Sequence, residues 1–173
     1  GWIDEGLPTI GQSKLAPVQA EPTIWVTRIN PKIDRVACPW LIHRFIDPDA
    51  VFHFAEAEWV IEIAKELGGV AFDTPGAASE NDGERCSVDT LMREFDLNDP
   101  ALAQLALNVS GADPGRNDLA PEAAGLLAVM LGNSIVGKSD HDIMQRGFPV
   151  YDALYARLKL AAGETHGWEP MST

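Results

Sequence analysis

Strand-like and helix-like runs of apolar and polar positions alternate along the first half of this chain, and the pattern is wholly helical thereafter. Thr23-Ile-Trp-Val-Thr-Arg-Ile29 has the β-branched and aromatic content of a strand, and Val51-Phe-His-Phe-Ala55 and Val70-Ala-Phe-Asp73 predict two more. Between the first two, Trp40, Leu41, Arg44 and Phe45 carry helical spacing. Pro39 reads as the first helical position, where its missing N–H is an orphan anyway, and this makes Cys38 the N-cap. Ala57 to Leu67 predicts an amphipathic helix stopped by Gly68-Gly69. Pro75 to Arg85 is rich in Gly, Ser, Asn and Asp and has the length of a binding loop.

After that loop the pattern is helical to the end. Ser87 opens a helix to Leu97, and Asp99 with Pro100 opens another to Ser110. Pro121 starts a nearly all-apolar helix, which should lie buried over Ala123 to Leu131. Ser139-Asp-His-Asp142 has the form of a capping box, and Gly147 and Pro149 should break the terminal helical region into two pieces. These elements predict an α+β fold, with a small sheet of about three strands from the N-terminal half, about six helices and a predominantly helical C-terminal half. Residues 1–22 read as a leader or linker, 23–162 as one domain and 163–173 as a flexible tail.

Composition narrows the function classes. With 173 residues, 46% of them hydrophobic, the chain can bury one sizeable core without disulfide staples. Its longest uncharged apolar run, Ala123 to Gly132, is too short to span a bilayer, so a soluble, cytoplasmic protein is expected. A net charge of −13 argues against nucleic acid as a partner, because phosphates demand a basic face. Residues 24–50 depart from this balance. They hold Arg28, Lys32, Arg35 and Arg44 against Asp34, Asp47 and Asp49, a net of +1 that leaves −14 for everything else. Such an island can form a local anion site in an acidic protein.

The same island holds the candidate chemistry. A thiol at a helix N-terminus beside Lys32 and Arg35 is favoured as thiolate, which suits an electrophile or an oxidising anion. Cys38, Arg35 and Asp34 are therefore candidate catalytic residues, and Lys32, Arg35 and Trp40 candidate oxyanion ligands. The bland alternative fits the spacing equally: Cys38 followed by Pro-Trp-Leu-Ile also reads as the first core residue of an amphipathic helix. Cys38 and Cys86 form no Cys-x-x-Cys motif and no bridge between them is indicated. His141 stands between Asp140 and Asp142, and with Cys86 and Asp118 it offers mixed donors that would suit a zinc or iron ion.

Several blocks also carry a family resemblance. Trp25-Val-Thr-Arg28, Pro31-Lys-Ile-Asp34-Arg35, Ala37-Cys-Pro-Trp-Leu-Ile42 and Arg44-Phe-Ile-Asp47-Pro resemble the opening signature of the chromate-resistance domain of ChrB-type bacterial proteins. Phe72-Asp73-Thr-Pro-Gly76, Cys86-Ser-Val-Asp89, Leu119 to Leu127 and Gly147 to Tyr155 resemble its later blocks, in order, so that the match runs from Thr23 to Leu160. It implies a domain that binds, senses or reduces chromate or a related oxyanion. Gly1-Trp-Ile-Asp-Glu-Gly-Leu-Pro8 is similar to the last turn of a rhodanese-like sulfurtransferase domain. The alternative is a non-catalytic metal- or oxyanion-responsive interaction domain fused to such a sulfurtransferase. ChrB proteins that regulate transcription carry a separate DNA-binding segment before this domain, and none is visible in this sequence.

Overall fold

β1 (Ile24–Arg28) is the central strand of a three-stranded sheet of order β2-β1-β3, flanked by β2 (Val51–Ala55) and β3 (Val70–Ala71). The structure, a computed structural model, describes residues 22–74, 76, 87–112, 116–161 and 163. Both pairings are parallel, with Ile24 opposite Val51, Arg28 opposite Ala55, and Trp25 and Val26 opposite Val70 and Ala71. Parallel neighbours need helical crossovers. The first is α1 (Asp34–Leu41), prolonged by a π-helical turn over Ile42–Ile46, and the second is α2 (Val60–Leu67), closed by Gly68 at φ 67°. Alternate residues of β1 sort the two layers. Trp25 joins the main core with Val36, Ala37, Trp40 and Leu41 of α1, whereas Val26 packs with Ala55 and with Val60 and Ala64 of α2. The strand order therefore turns in opposite directions from β1, a switch point whose carboxyl end is where open α/β sheets form crevices.

The helical half is α3 (Ser87–Glu94), α4 (Pro100–Gly111), α5 (Ala123–Val136) and α6 (Asp140–Leu160). Asp99 caps α4 by accepting from the Ala101 N–H at 2.8 Å, and Ser139 caps α6 by accepting from the Asp142 N–H at 3.1 Å. Among the described residues, the α+β class, the three strands and the six α-helices agree with the sequence reading. Three local expectations do not.

First, α1 begins at Asp34, with Ile33 as N-cap, so Cys38 and Pro39 lie inside the helix. The apolar spacing runs back through Ala37 and Val36 to Ile33, and burying that stripe outweighs the one hydrogen bond that Pro39 removes. Second, α5 is buried only at Ala123, Leu126 and Met130, while Val129, Ile135 and Val136 are 52%, 82% and 60% exposed. Absence of charge does not fix how many neighbours a helix has: α4 and α6 pack against α5, and one side stays open. Third, α6 is a single helix of 21 residues through Gly147 and Pro149. Gly147 marks a close helix crossing, since a Cβ there would overlap Val36 Cγ1 and lie 3.1 Å from Met130 Cε.

The crossing makes a testable demand. Replacing a helical glycine by alanine ordinarily stabilises by about 1 kcal/mol. Gly147→Ala should instead destabilise by about 1–2 kcal/mol, because the β-branched Val36 cannot rotate away. Val36→Ala in the same chain should recover most of that loss, measured as coupling in a denaturant double-mutant cycle.

Candidate functional site

Four charged side chains and the first turn of α1 meet at the carboxyl end of β1. Arg28 is its last residue, and its Nε–H donates to the Asp73 carbonyl at 2.9 Å while Nη2 lies 3.3 Å from Asp73 Oδ2. Arg35, from the first turn of α1, approaches the same Oδ2 with Nε at 3.4 Å, and its Nη1 donates to the Ile29 carbonyl at 2.7 Å. Asp140, at the start of α6, accepts from the Asn30 N–H at 3.1 Å. The α1 N-cap, Ile33, makes no side-chain hydrogen bond, and the acidic group in the first turn of the helix is Asp34. Asn30 and Asp73 both hold positive φ, 55° and 46°, a conformation that these residue types tolerate and that clusters at binding sites.

The electrostatics are those of a poised ion cluster. Burial and the adjacent Arg28 lower the Arg35 pKa from its ordinary value, and Asp73, Asp34 and Asp140 work in the opposite direction. A guanidinium remains charged throughout the physiological range, so the partly desolvated Arg35 needs anionic partners. Asp73 lies within reach of both arginines on a single oxygen. Lys32 stands exposed in the same β1–α1 loop.

The other sequence candidates go elsewhere. Cys38 is fully buried, four positions into α1 and not at its N-cap. Trp40 is also fully buried, packed on Phe45, Tyr151 and Tyr155, and its Nε1–H donates to Asp152 Oδ1 at 2.8 Å. It belongs to the core and not to the arginine cluster. His141 Nε2 lies 2.8 Å from the Phe52 carbonyl, Asp118 is exposed before α5, and Cys86 and the Gly1–Pro8 segment lie outside the described residues. Among the described residues no three His, Cys, Asp or Glu side chains come together as a metal site. Asp73 and Asp140 were missed as site residues, and Arg28 stood out only as one charge of the basic island, although Arg28 and Asp73 lie in blocks that carry the family resemblance.

A second polar cluster sits at the π-helical turn. Arg44 holds Asp152 with two bonds, Nε to Oδ1 at 2.9 Å and Nη2 to Oδ2 at 2.8 Å, and its Nη1 lies 3.0 Å from His43 Nδ1. Burial and the Arg44 charge lower the His43 pKa, with Asp47 and Asp152 opposing. The folded chain thus resists protonating His43 more than the unfolded chain does. The stability this contributes should be lost as pH falls from about 6.5, the unperturbed imidazole value, through the lowered folded value. Burial would raise the Asp152 pKa, but the bonds from Arg44 and Trp40 outweigh it, so the carboxylate contribution persists to more acid pH. Urea midpoints between pH 7.5 and 5 should therefore fall in the native chain and stay flatter in His43→Gln.

Comparison with known proteins places residues 25–158 in a match to the family described as ChrB, C-terminal domain. "Protein ChrB" of Cupriavidus metallidurans is 35% identical over 141 residues, which cover 80% of this chain and 42% of that relative. The match therefore spans about two fifths of the length of that relative. No solved structure matches.

Proposed function

The chain belongs to the ChrB C-terminal domain family, and on that premise we propose that it is a chromate-resistance domain that recognises a tetrahedral oxyanion, chromate or an isosteric anion, at Arg28 and Arg35. It acts by binding and sensing, without reducing the anion. One observation carries the reading: two guanidinium groups converge on one carboxylate oxygen beside the first turn of α1, at the carboxyl end of the sheet's central strand. This is the chemistry that binds oxyanions, with planar N–H forks, a helix dipole and backbone N–H groups directed at one point. Lys32 adds long-range attraction that the rest of this acidic chain opposes.

In this account Asp73 is the resident anion. An incoming dianion competes with Asp73 Oδ2 for the N–H groups of Arg28 and Arg35. Cys38 takes no part, because a thiol buried in the helix interior is not presented to an anion in the β1–α1 loop. Thermal melts at low ionic strength test this. Sulfate and chromate should each raise the melting temperature of the native chain in a saturable way, and Arg35→Ala should abolish the rise while the chain still folds. Consumption of chromate in excess over protein thiol, with a reductant supplied, would instead establish an enzyme and overturn the binding-only reading.

A further inference from the structure

A cleft of about 490 Å³ lies between the π-helical turn, the outer edge of β2 and α6, and none of its lining residues belongs to the arginine cluster. Phe52, Met144, Phe148 and Pro149 give it apolar walls, and His43, Arg44, His141 and Gln145 supply its polar groups. The π-helical turn accounts for one feature of this lining. Consecutive residues of an ordinary helix diverge by about 100°, and the wider turn helps His43 and Arg44 to share the cleft.

The hydrogen-bonding capacity can be assigned from the partners. Guanidinium nitrogen cannot accept, so Arg44 Nη1–H donates to His43 Nδ1, and the neutral ring then carries its proton on Nε2. A carbonyl cannot donate, so His141 donates from Nε2 to the Phe52 oxygen, and its Nδ1 is the acceptor when the ring is neutral. The cleft thus offers one imidazole donor and one imidazole acceptor. Its formal charge is cancelled, because Arg44 is held in a two-bond pair with Asp152. Ring surfaces complete it: Arg44 lies 5.6 Å from the Phe148 centroid, and His43 meets the same ring edge-on at 5.5 Å.

We infer that this cleft is a second binding site, for an uncharged, planar aromatic molecule bearing carbonyl or hydroxyl groups, the class that includes quinones and phenols. Apolar walls with a few fixed polar groups are the usual make-up of a small-molecule site, and the volume exceeds that of a two-ring ligand. An anion gains nothing from a compensated arginine in a chain of net charge −13, and a cation meets no uncompensated carboxylate among the lining residues. His43 is the donor to a ligand carbonyl. The inference is independent of the oxyanion reading, since no residue is shared.

Equilibrium dialysis of the full chain against 2,3-dimethyl-1,4-naphthoquinone tests it, the methyl groups blocking addition of thiols to the ring. One saturable site per chain is expected, unchanged by sulfate and by Arg35→Ala. His43→Phe should weaken it about tenfold, the loss expected for one hydrogen bond. Gln145→Trp, which fills the cleft from an exposed helix position, should abolish it. In the native chain the Met144 methyl resonance should shift on saturation, a readout that does not depend on any variant folding. Absence of saturable binding, retention of full affinity in folded Gln145→Trp with an unmoved Met144 methyl, or equally tight binding of anionic naphthalene-2-sulfonate would each overturn the inference.

Discussion

Asp99→Ala should cost about 3 kcal/mol, a large loss for a single polar side chain. Asp99 is almost fully buried and serves three partners at once: it caps α4, accepts from Tyr155 Oη–H at 2.7 Å, and receives Lys159 Nζ at 2.8 Å. Burial would raise its pKa, but the bonds from Lys159 and Tyr155 outweigh that and hold the carboxylate ionised. Loss of an N-cap costs about 1 kcal/mol, and a buried hydroxyl left without its acceptor costs about 1–3 kcal/mol. For a chain of this length, 3 kcal/mol corresponds to a melting temperature lower by about 6–12 °C. Tyr155→Phe should cost only about 1 kcal/mol, because it removes one bond and leaves the cap and the lysine in place. A calorimetric scan of both variants measures the difference, and equal small losses would mean that Asp99 does not organise the α4–α6 contact.

The largest functional effect is expected at Asp73. If Asp73 occupies the place of the ligand, Asp73→Asn removes the competing charge while keeping the size of the side chain and a carbonyl oxygen for Arg28 and Arg35. Affinity for sulfate should then rise by about tenfold or more, in keeping with a charge-assisted bond to a partly buried guanidinium. The variant alone should be less stable than the native chain, and saturating sulfate should return it to native stability or above. A merely structural ion pair predicts the first of these and not the second. Added sodium chloride should weaken the sulfate effect in both chains.

The elements legible in the sequence are those fixed by local chemistry. β-branched residues on either side of Trp25, Asp99 before Pro100 and Ser139 before Asp142 each mark a boundary within a few residues, and each boundary is where these signals put it. Pro39 misled because its local preference for a first turn competes with burial of Val36 and Ala37, which is decided by α6 more than 100 residues away. Gly147 misled for the same reason, being required by the approach of Val36 and not by a break in the helix. The site divides in the same way. Lys32, Asp34 and Arg35 were visible as a charged run after a strand, whereas Asp73 and Asp140 reach them only through the parallel crossover and the return of α6. No spacing along the chain encodes that meeting.

Of all the measurements, nitrogen-15 resonances of the arginine side chains during a sulfate titration test the oxyanion site most directly. The account predicts saturable shifts of the Nε–Hε signals of Arg28 and Arg35 with one common dissociation constant, while Arg44, Arg146 and Arg157 stay where they are. Signals of Arg28 and Arg35 that do not move, or that drift together with every other arginine as ionic strength rises, would contradict it.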